Sequence, residues 1–286
     1  MHPALLLMRA LAPLPLPLLR ALGAALGYLL FLLAAKRRHI ALTNLRLCFP
    51  ELGAGQRRRL ARRSFIAFCQ ALIDRAWVWH APPEAVRQRI QLVGAVEELR
   101  RPEAAVLFAP HFYGMDAGGA AIMQQAVTLG SSIYTPQPGA AIDAWVRAGR
   151  QRFGNVIMLS RADGFKPIVR ALREGRYLYL LPDMDFGPED SLFTSFFGVP
   201  AATLPSLPRF ARLGRTRVVP AVTRMTAGGY EVQVYPAWQN YPSGDLQADA
   251  ARMNRELETW IRAMPEQYYW VHKRFKTRPP GEPPVY

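Results

Sequence analysis

The sequence has few cysteines and lacks several familiar catalytic motifs. Cys48 and Cys69 are the only cysteines among 286 residues, and their spacing is not that of a metal or redox motif. We therefore expect a reducing compartment and no disulfide. The absence of G-x-S-x-G, G-x-x-x-x-G-K-[ST], G-x-G-x-x-G after a strand and H-E-x-x-H argues against four common classes of enzyme site.

Acidic residues are also scarce. Lysine and arginine number 36 against 21 aspartates and glutamates, which gives a net charge of +15. Such an excess indicates a polyanionic partner. Zinc-finger spacing and RNP-like aromatic motifs are missing, so we expect no nucleic acid; an anionic membrane or an acidic protein remains. Half of the residues are hydrophobic, which excludes a disordered chain and allows a substantial core.

The N-terminal sequence favours a membrane as the polyanionic partner. Residues 21–35 carry no charge and are followed at once by Lys36, Arg37 and Arg38. A helix of this length reaches about 22 Å, short of the ~30 Å hydrocarbon core, and starting at Leu18 would force Arg20 to snorkel to the far interface. We predict a membrane anchor over residues 1–38, either spanning or interfacial, with the rest of the chain in the cytoplasm.

From residue 104 onward, apolar runs alternate with amphipathic segments. This pattern predicts an α/β fold with a mostly parallel sheet, an antiparallel edge and flanking helices. Gly228 and Gly229 predict a hairpin, and Asp245 predicts the N-cap of a last helix that ends before Pro265. No repeat or linker divides residues 39–286, which we treat as one domain. The predicted strands are 104–109, 131–134, 156–159, 177–181, 218–222 and 230–235.

A histidine and an aspartate follow the first of these strands. His111 comes directly after it, and Asp116 lies five positions further on, about 140° away if the segment were a regular helix. The two side chains can meet only if the chain curls through Phe112–Gly114 first, which Gly114 allows. A histidine at the carboxyl end of a strand, oriented by a carboxylate, is suited to act as a general base. A structural histidine beside a helix-capping aspartate is the alternative.

A second acidic pair follows another strand in the stretch LPDMDFG. Asp183 and Asp185 are expected at the same edge of the sheet as His111, because parallel strands place their carboxyl ends together. Turn formation or helix capping would also explain the D-x-D pattern. No third ligand is near in sequence, so we expect no metal site.

Arginines and aromatic residues provide candidates for substrate binding. Arg150, Arg152 and Arg161 lie on predicted connections after strands, where they are either solvated or bind phosphate or an oxyanion. Phe196 and Phe197 lie in a segment, 195–202, that resembles an exposed apolar loop. This loop either packs on the core or lines a channel for an acyl chain.

Two basic runs have simpler explanations. Residues 56–63 contain five arginines at the start of an amphipathic helix, and either form a solvated face or contact phospholipid headgroups. Residues 272–278, HKRFKTR, resemble a solvated tail.

Four blocks in order resemble one known family. These are NLRLCFPE at 44–51, the H-x4-D box at 111–116, LPDMDFG followed by FFGVPAAT, and MPEQYYWVHKRFKTRPPGEP at 264–283. From about residue 36 to the C-terminus the chain resembles the late acyltransferases of lipid A biosynthesis, the lauroyl and myristoyl transferases of the lysophospholipid acyltransferase superfamily. Many relatives have glutamate in place of Asp116.

The resemblance implies an activity, partners and a location. Such enzymes transfer an acyl chain from acyl carrier protein to a hydroxyl of a lipid A precursor that carries Kdo sugars, at the cytoplasmic face of the inner membrane. The resemblance implies that His111, oriented by Asp116, deprotonates the hydroxyl, and that no cofactor or metal is needed because a thiolate leaves readily. The basic surface would attract both acyl carrier protein and anionic lipid.

Two other functions fit the same residues. The acceptor would then be another lipid, such as a lysophospholipid or an aminolipid, or the chain would be a non-catalytic lipid-binding protein. A substrate assay distinguishes the first alternative, and an inactive His111 variant argues against the second.

Overall fold

A computed structural model describes residues 2–286. Its helices are α1 (Pro3–Leu11), α2 (Leu16–Leu33), α3 (Ala35–Cys48), α4 (Ala54–His80), α5 (Pro83–Arg89), α6 (Met115–Gln125), α7 (Ala140–Arg150), α8 (Lys166–Arg173), α9 (Ser206–Gly214) and α10 (Leu246–Ala263). Its strands are β1 (Ile90–Gly94), β2 (Ala105–Phe108), β3 (Leu129–Tyr134), β4 (Asn155–Ser160), β5 (Tyr177–Leu180), β6 (Leu192–Phe196), β7 (Val199–Thr203), β8 (Arg217–Thr226) and β9 (Gly229–Val234).

Seven strands form one sheet in the order β1-β9-β8-β2-β5-β3-β4. All neighbours are parallel except β8 and β9, which form the predicted hairpin. The predicted α/β fold is therefore confirmed, and so is the last helix with its Asp245 cap. Strand β1 was not predicted, because it is only five residues long and its side chains do not alternate regularly between buried and exposed.

The sheet separates two layers of helices, each with its own apolar core. Along β2, Val106 and Phe108 face the core under α8, α9 and α10, whereas Ala105 and Leu107 face the core under α4, α6 and α7. Both faces are covered, as a parallel sheet requires. The carboxyl ends of β2, β5, β3 and β4 meet at one edge, where the site described below lies.

The N-terminal helices pack on this body instead of standing apart from it. Helix α2 is long and apolar enough to cross a membrane by length and composition. It begins at Leu16, because Pro17 falls in the first turn, where a missing N–H costs nothing. Arg20 does not snorkel as expected: its guanidinium lies 2.9 Å from the carboxylate of Asp74 on α4.

Two other segments differ from the sequence-based expectation. Residues 195–202 belong to the antiparallel pair β6–β7, not to an exposed loop. The C-terminal basic run is not a solvated tail, since Arg274 is buried and donates to the Ala202 carbonyl and the Thr203 hydroxyl.

Candidate active site

His111 lies just beyond the carboxyl end of β2, where the chain turns before α6. The amides of Phe112 and Met115 bond to the carbonyls of Pro110 and Phe112, so the expected curl is present. Gly114 lets this turn pack closely on β8 and β9, because a Cβ there would lie 2.7 Å from a methyl carbon of Thr223 and 2.9 Å from the Tyr230 ring. The local sequence thus holds the histidine at the edge of the sheet, with its side chain one-fifth exposed.

Asp183 is the carboxylate partner of His111. It follows β5, the parallel neighbour of β2, so the two residues meet as expected at the shared edge. Nδ1 of His111 is 2.8 Å from Oδ1 of Asp183, and the His111 amide donates to Oδ2 at 3.0 Å. Although burial alone would raise the pKa of Asp183, the His111 charge and these hydrogen bonds lower it. An ionised Asp183 fixes the proton on Nδ1 and leaves Nε2 as the basic nitrogen.

Asp116 does not orient His111, and this corrects the prediction from the H-x4-D spacing. Its Oδ2 accepts a hydrogen bond of 2.7 Å from Nε of Arg75, and its Oδ1 one of 2.8 Å from Nε of Arg150. Asp116 is in the first turn of α6, and the curl that exposes His111 points the aspartate towards α4 and α7 instead.

The Asp116 cluster carries a net positive charge. Burial tends to raise the pKa of Asp116, but Arg150 and Arg75 together lower it to about 2, so the carboxylate stays ionised. The pKa of Arg150 is raised: burial would lower it, but Asp116 outweighs that effect. Two guanidinium groups around one carboxylate leave one positive charge beside the cavity, which is suited to an anionic group or a developing oxyanion.

A cavity of about 830 Å³ opens at this edge of the sheet. His111, Asp116, Arg150 and Arg161 all line it, so four of the predicted residues share one space. The guanidinium of Arg161 lies 3.9 Å from the centre of the Phe186 ring, also in the cavity wall.

The cavity extends along both faces of the sheet. The lobe on the α6 side, here called the inner lobe, is lined at its deep end by Leu107, Ile122, Met123, Val127, Gly130 and Tyr177. Four of these six are apolar or aromatic side chains at most 6% exposed, so this end is largely buried. The lobe on the α8 and α9 side, here called the outer lobe, includes Phe165 and Leu213, which are 55% and 39% exposed, so it opens to solvent.

Arg152 and Asp185 are not part of this cavity lining, and both make structural contacts. Arg152 donates to the carbonyls of Val78 and Ala81 at the end of α4. Asp185 accepts from the amide and hydroxyl of Thr277, both at 2.8 Å, and ties the C-terminal segment to the body.

Phe196 and Phe197 do not line the cavity either, contrary to expectation. Phe196 is fully buried against Phe275 and Phe197, with ring centroids 6.0 and 5.0 Å away. Phe197 also packs on Phe49, at 5.1 Å. The hairpin β6–β7 turns both rings into the core under α10, which explains why the sequence signal for an apolar channel was misleading.

Some site residues were missed by sequence reasoning. Arg75 lies on α4, 41 positions before Asp116, and nothing local in the sequence links the two. The ring of Tyr269 stacks on His111 with centroids 6.3 Å apart, and no pattern in the sequence around Tyr269 indicates this contact. Within residues 2–286, no group of three His, Cys, Asp or Glu side chains is arranged to hold a metal ion.

Sequence comparisons agree with one another. The family described as "Bacterial lipid A biosynthesis acyltransferase" matches residues 4–277. A lipid A biosynthesis acyltransferase of Haemophilus influenzae is 34% identical over 95% of this chain and 86% of its own length. In Escherichia coli, the lipid A biosynthesis lauroyltransferase is 32% identical (96% of this chain, 90% of its own). The Escherichia coli myristoyltransferase is 34% identical (93% and 82%). The chain belongs to the bacterial lipid A biosynthesis acyltransferase family.

Proposed function

We propose that this protein transfers a fatty acyl chain from acyl carrier protein to a hydroxyl of a Kdo-bearing lipid A precursor. Membership of the family supports acyl transfer in lipid A biosynthesis. One structural observation carries the chemistry: His111 lines a cavity with a largely buried apolar lobe, paired with buried Asp183 and beside a positively charged cluster.

The proposed reaction begins with proton transfer. Nε2 of His111 takes the proton of the acceptor hydroxyl as the oxygen attacks the thioester carbonyl. Asp183 stabilises the imidazolium that forms and holds the ring in the required tautomer. The carbon–sulfur bond then breaks, and the imidazolium returns the proton to the departing thiolate. These steps need no covalent enzyme intermediate.

The positive groups around the cavity have two proposed roles. Arg150, fixed by Asp116, stabilises the oxyanion or a phosphate of the acceptor. Arg161 lies in the cavity wall beside Phe186 and is placed to bind an anionic part of either substrate. Asp116 thus positions Arg150 and does not orient His111.

The two lobes suggest where the donor acyl chain and the acceptor lipid bind. We assign the donor acyl chain to the inner lobe, because its deep end is apolar and largely buried. The outer lobe is open to solvent and is assigned to the bulkier acceptor lipid. The net charge of +15 would attract acidic acyl carrier protein and anionic lipid to the same molecule.

The proposed location is the cytoplasmic face of the inner membrane. Residues 1–38 would provide attachment and residues 39–286 the chemistry, with Lys36, Arg37 and Arg38 on the cytoplasmic side.

Reconstitution of the purified protein tests this function. The protein is incubated with acyl-loaded carrier protein and an equal mixture of Kdo-bearing lipid A precursor and lysophospholipid, and the products are weighed. A single added acyl mass on the lipid A precursor is expected. Acylation of the lysophospholipid alone would contradict the acceptor, and no transfer from the carrier protein would contradict the donor.

A further inference from the structure

Helix α2 has two apolar faces with different surroundings. One face is buried against α4 at Leu19, Gly23, Gly27 and Phe31. The opposite face is exposed and includes Leu18, Leu22, Leu26, Leu29 and Leu33, each 41–72% exposed. Such an apolar stripe, continued by exposed Leu6 and Leu7 on α1, is too large to be left in water.

The buried face brings α2 against the backbone of α4. A Cβ at Gly23 would lie 2.7 Å from Cα of Gln70, and one at Gly27 would lie 2.5 Å from Cα of Ile66. Ascending positions on α2 meet descending positions on α4, so the two helices run antiparallel and side by side. Only glycine permits so close an approach.

A buried ion pair fixes the same face. Arg20 is paired with Asp74, whose side chain is 1% exposed, and also donates to the Gly229 carbonyl at 3.2 Å. Gln70 donates to the Arg20 carbonyl at 3.0 Å. Removing α2 from the body would leave Asp74 buried without its cation, which is strongly unfavourable.

These contacts are incompatible with α2 crossing a bilayer. If α2 stood across the membrane while packed as it is, α4 would stand beside it. Gln70, Asp74 and Arg75 would then enter the hydrocarbon. Leaving α4 behind would instead break the Arg20–Asp74 pair.

Basic residues lie at the C-terminal end of the exposed stripe. Lys36 and Arg37 are exposed just after α2, and Arg38 donates to the carbonyls of Phe31 and Leu32 in its last turn. This arrangement matches anionic headgroups around an immersed apolar face. If two copies of the chain packed together through this stripe, their basic residues would face and repel each other.

We propose that α1 and α2 lie in the plane of one leaflet of an anionic membrane, with the leucine stripe immersed and α4 above it. The protein therefore binds one face of the membrane and has no spanning segment in α2. This proposal rests on the membrane attachment proposed above and specifies its geometry.

Depth measurements on the full-length protein distinguish the geometries. Single variants Leu18→Cys, Leu26→Cys and Leu33→Cys are labelled with a fluorophore and bound to phosphatidylglycerol-containing vesicles. The native Cys48 and Cys69 are buried, and the unsubstituted protein gives their background. Lipids carrying a quencher near the headgroup or near the chain end report depth. Leu18 and Leu33 are 15 residues apart, or about 22 Å along a helix.

An in-plane helix predicts that all three labels are quenched best by the same shallow quencher. Stronger quenching of Leu26→Cys by the deep quencher, with shallow quenching at both ends, would overturn the proposal in favour of a spanning helix. Absence of quenching at all three positions would overturn it in favour of a protein partner. Ala248→Cys, exposed on α10, is the matched control and should stay unquenched.

The measurement does not depend on enzymatic activity. If the three labels lie at equal shallow depths but the protein shows no acyl transfer, only the proposed function is contradicted. Full activity with a graded depth profile would contradict the in-plane geometry alone.

Discussion

Met123 is expected to set the length of the acyl chain. It lies at the deep end of the inner lobe, and a Cβ added at Gly130 would lie 2.6 Å from its sulfur. Met123→Ala removes three heavy atoms there, which is room for about two methylenes. Burying two methylenes at ~0.8 kcal/mol each gives about 1.6 kcal/mol, or roughly a tenfold change in preference towards the longer donor.

Gly130→Ala is the opposing variant. Its added methyl group would lie in the lobe wall and crowd the Met123 sulfur, and overpacking of this kind costs about 1–3 kcal/mol. We expect a shift towards the shorter donor. Phe197→Ala is the control, because Phe197 packs in the core outside the cavity. It should reduce stability and leave the ratio of products unchanged.

Competition between twelve- and fourteen-carbon acyl carrier proteins measures this ratio directly by product mass. A shift in Phe197→Ala together with an unchanged ratio in Met123→Ala would refute the assignment of the inner lobe to the acyl chain. Equal loss of both products in Met123→Ala and Gly130→Ala would show that these residues only support the fold.

Three further outcomes follow from the same geometry. Asp183→Asn should lower turnover by roughly 10²–10⁴-fold, because it removes the charge that holds the His111 tautomer; activity within a few-fold of the parent protein would contradict this. Asp116→Glu should keep more activity than Asp116→Asn, since it can still pair with two arginines; equal loss in both would show that the ion pairs are not the relevant property. Burial, Arg274 and His111 lower the pKa of His272 to about 4 in the folded protein. Between pH 6.5 and 4 only the unfolded state binds a proton at this histidine, so the free energy of unfolding should fall as the pH drops through this range. His272→Gln should reduce that slope, and an unchanged slope would contradict the cause.

The sequence was sufficient for six of the seven strands of the large sheet and for the proximity of Asp183 to His111. Apolar runs bounded by glycine and proline predicted the parallel strands, and the rule that their carboxyl ends share an edge predicted that Asp183 would be near His111. These inferences depend on local hydrophobic patterns and on the geometry of parallel sheets. Both can be applied to a single amino-acid sequence.

The partner of Asp116 could not be read in this way. The H-x4-D spacing suggested a local pair, but two arginines from α4 and α7 compete for the carboxylate. Their approach depends on helix packing, which spacing does not encode. Likewise, nothing in the Phe196–Phe197 dipeptide tells a core hairpin from a channel wall, since both bury aromatic rings.

Replacement of His111 tests the central claim most directly. Purified His111→Ala is compared with the parent protein in transfer from acyl carrier protein to the Kdo-bearing lipid A precursor, with folding checked by thermal unfolding. Loss of a general base should lower the rate by at least ~10²-fold. We expect a lower unfolding temperature, because buried Asp183 loses its partner Nδ1, but a folded protein, since the backbone amide of residue 111 still donates to the carboxylate. Turnover close to that of the parent protein would contradict His111 as the base, and with it the proposed mechanism.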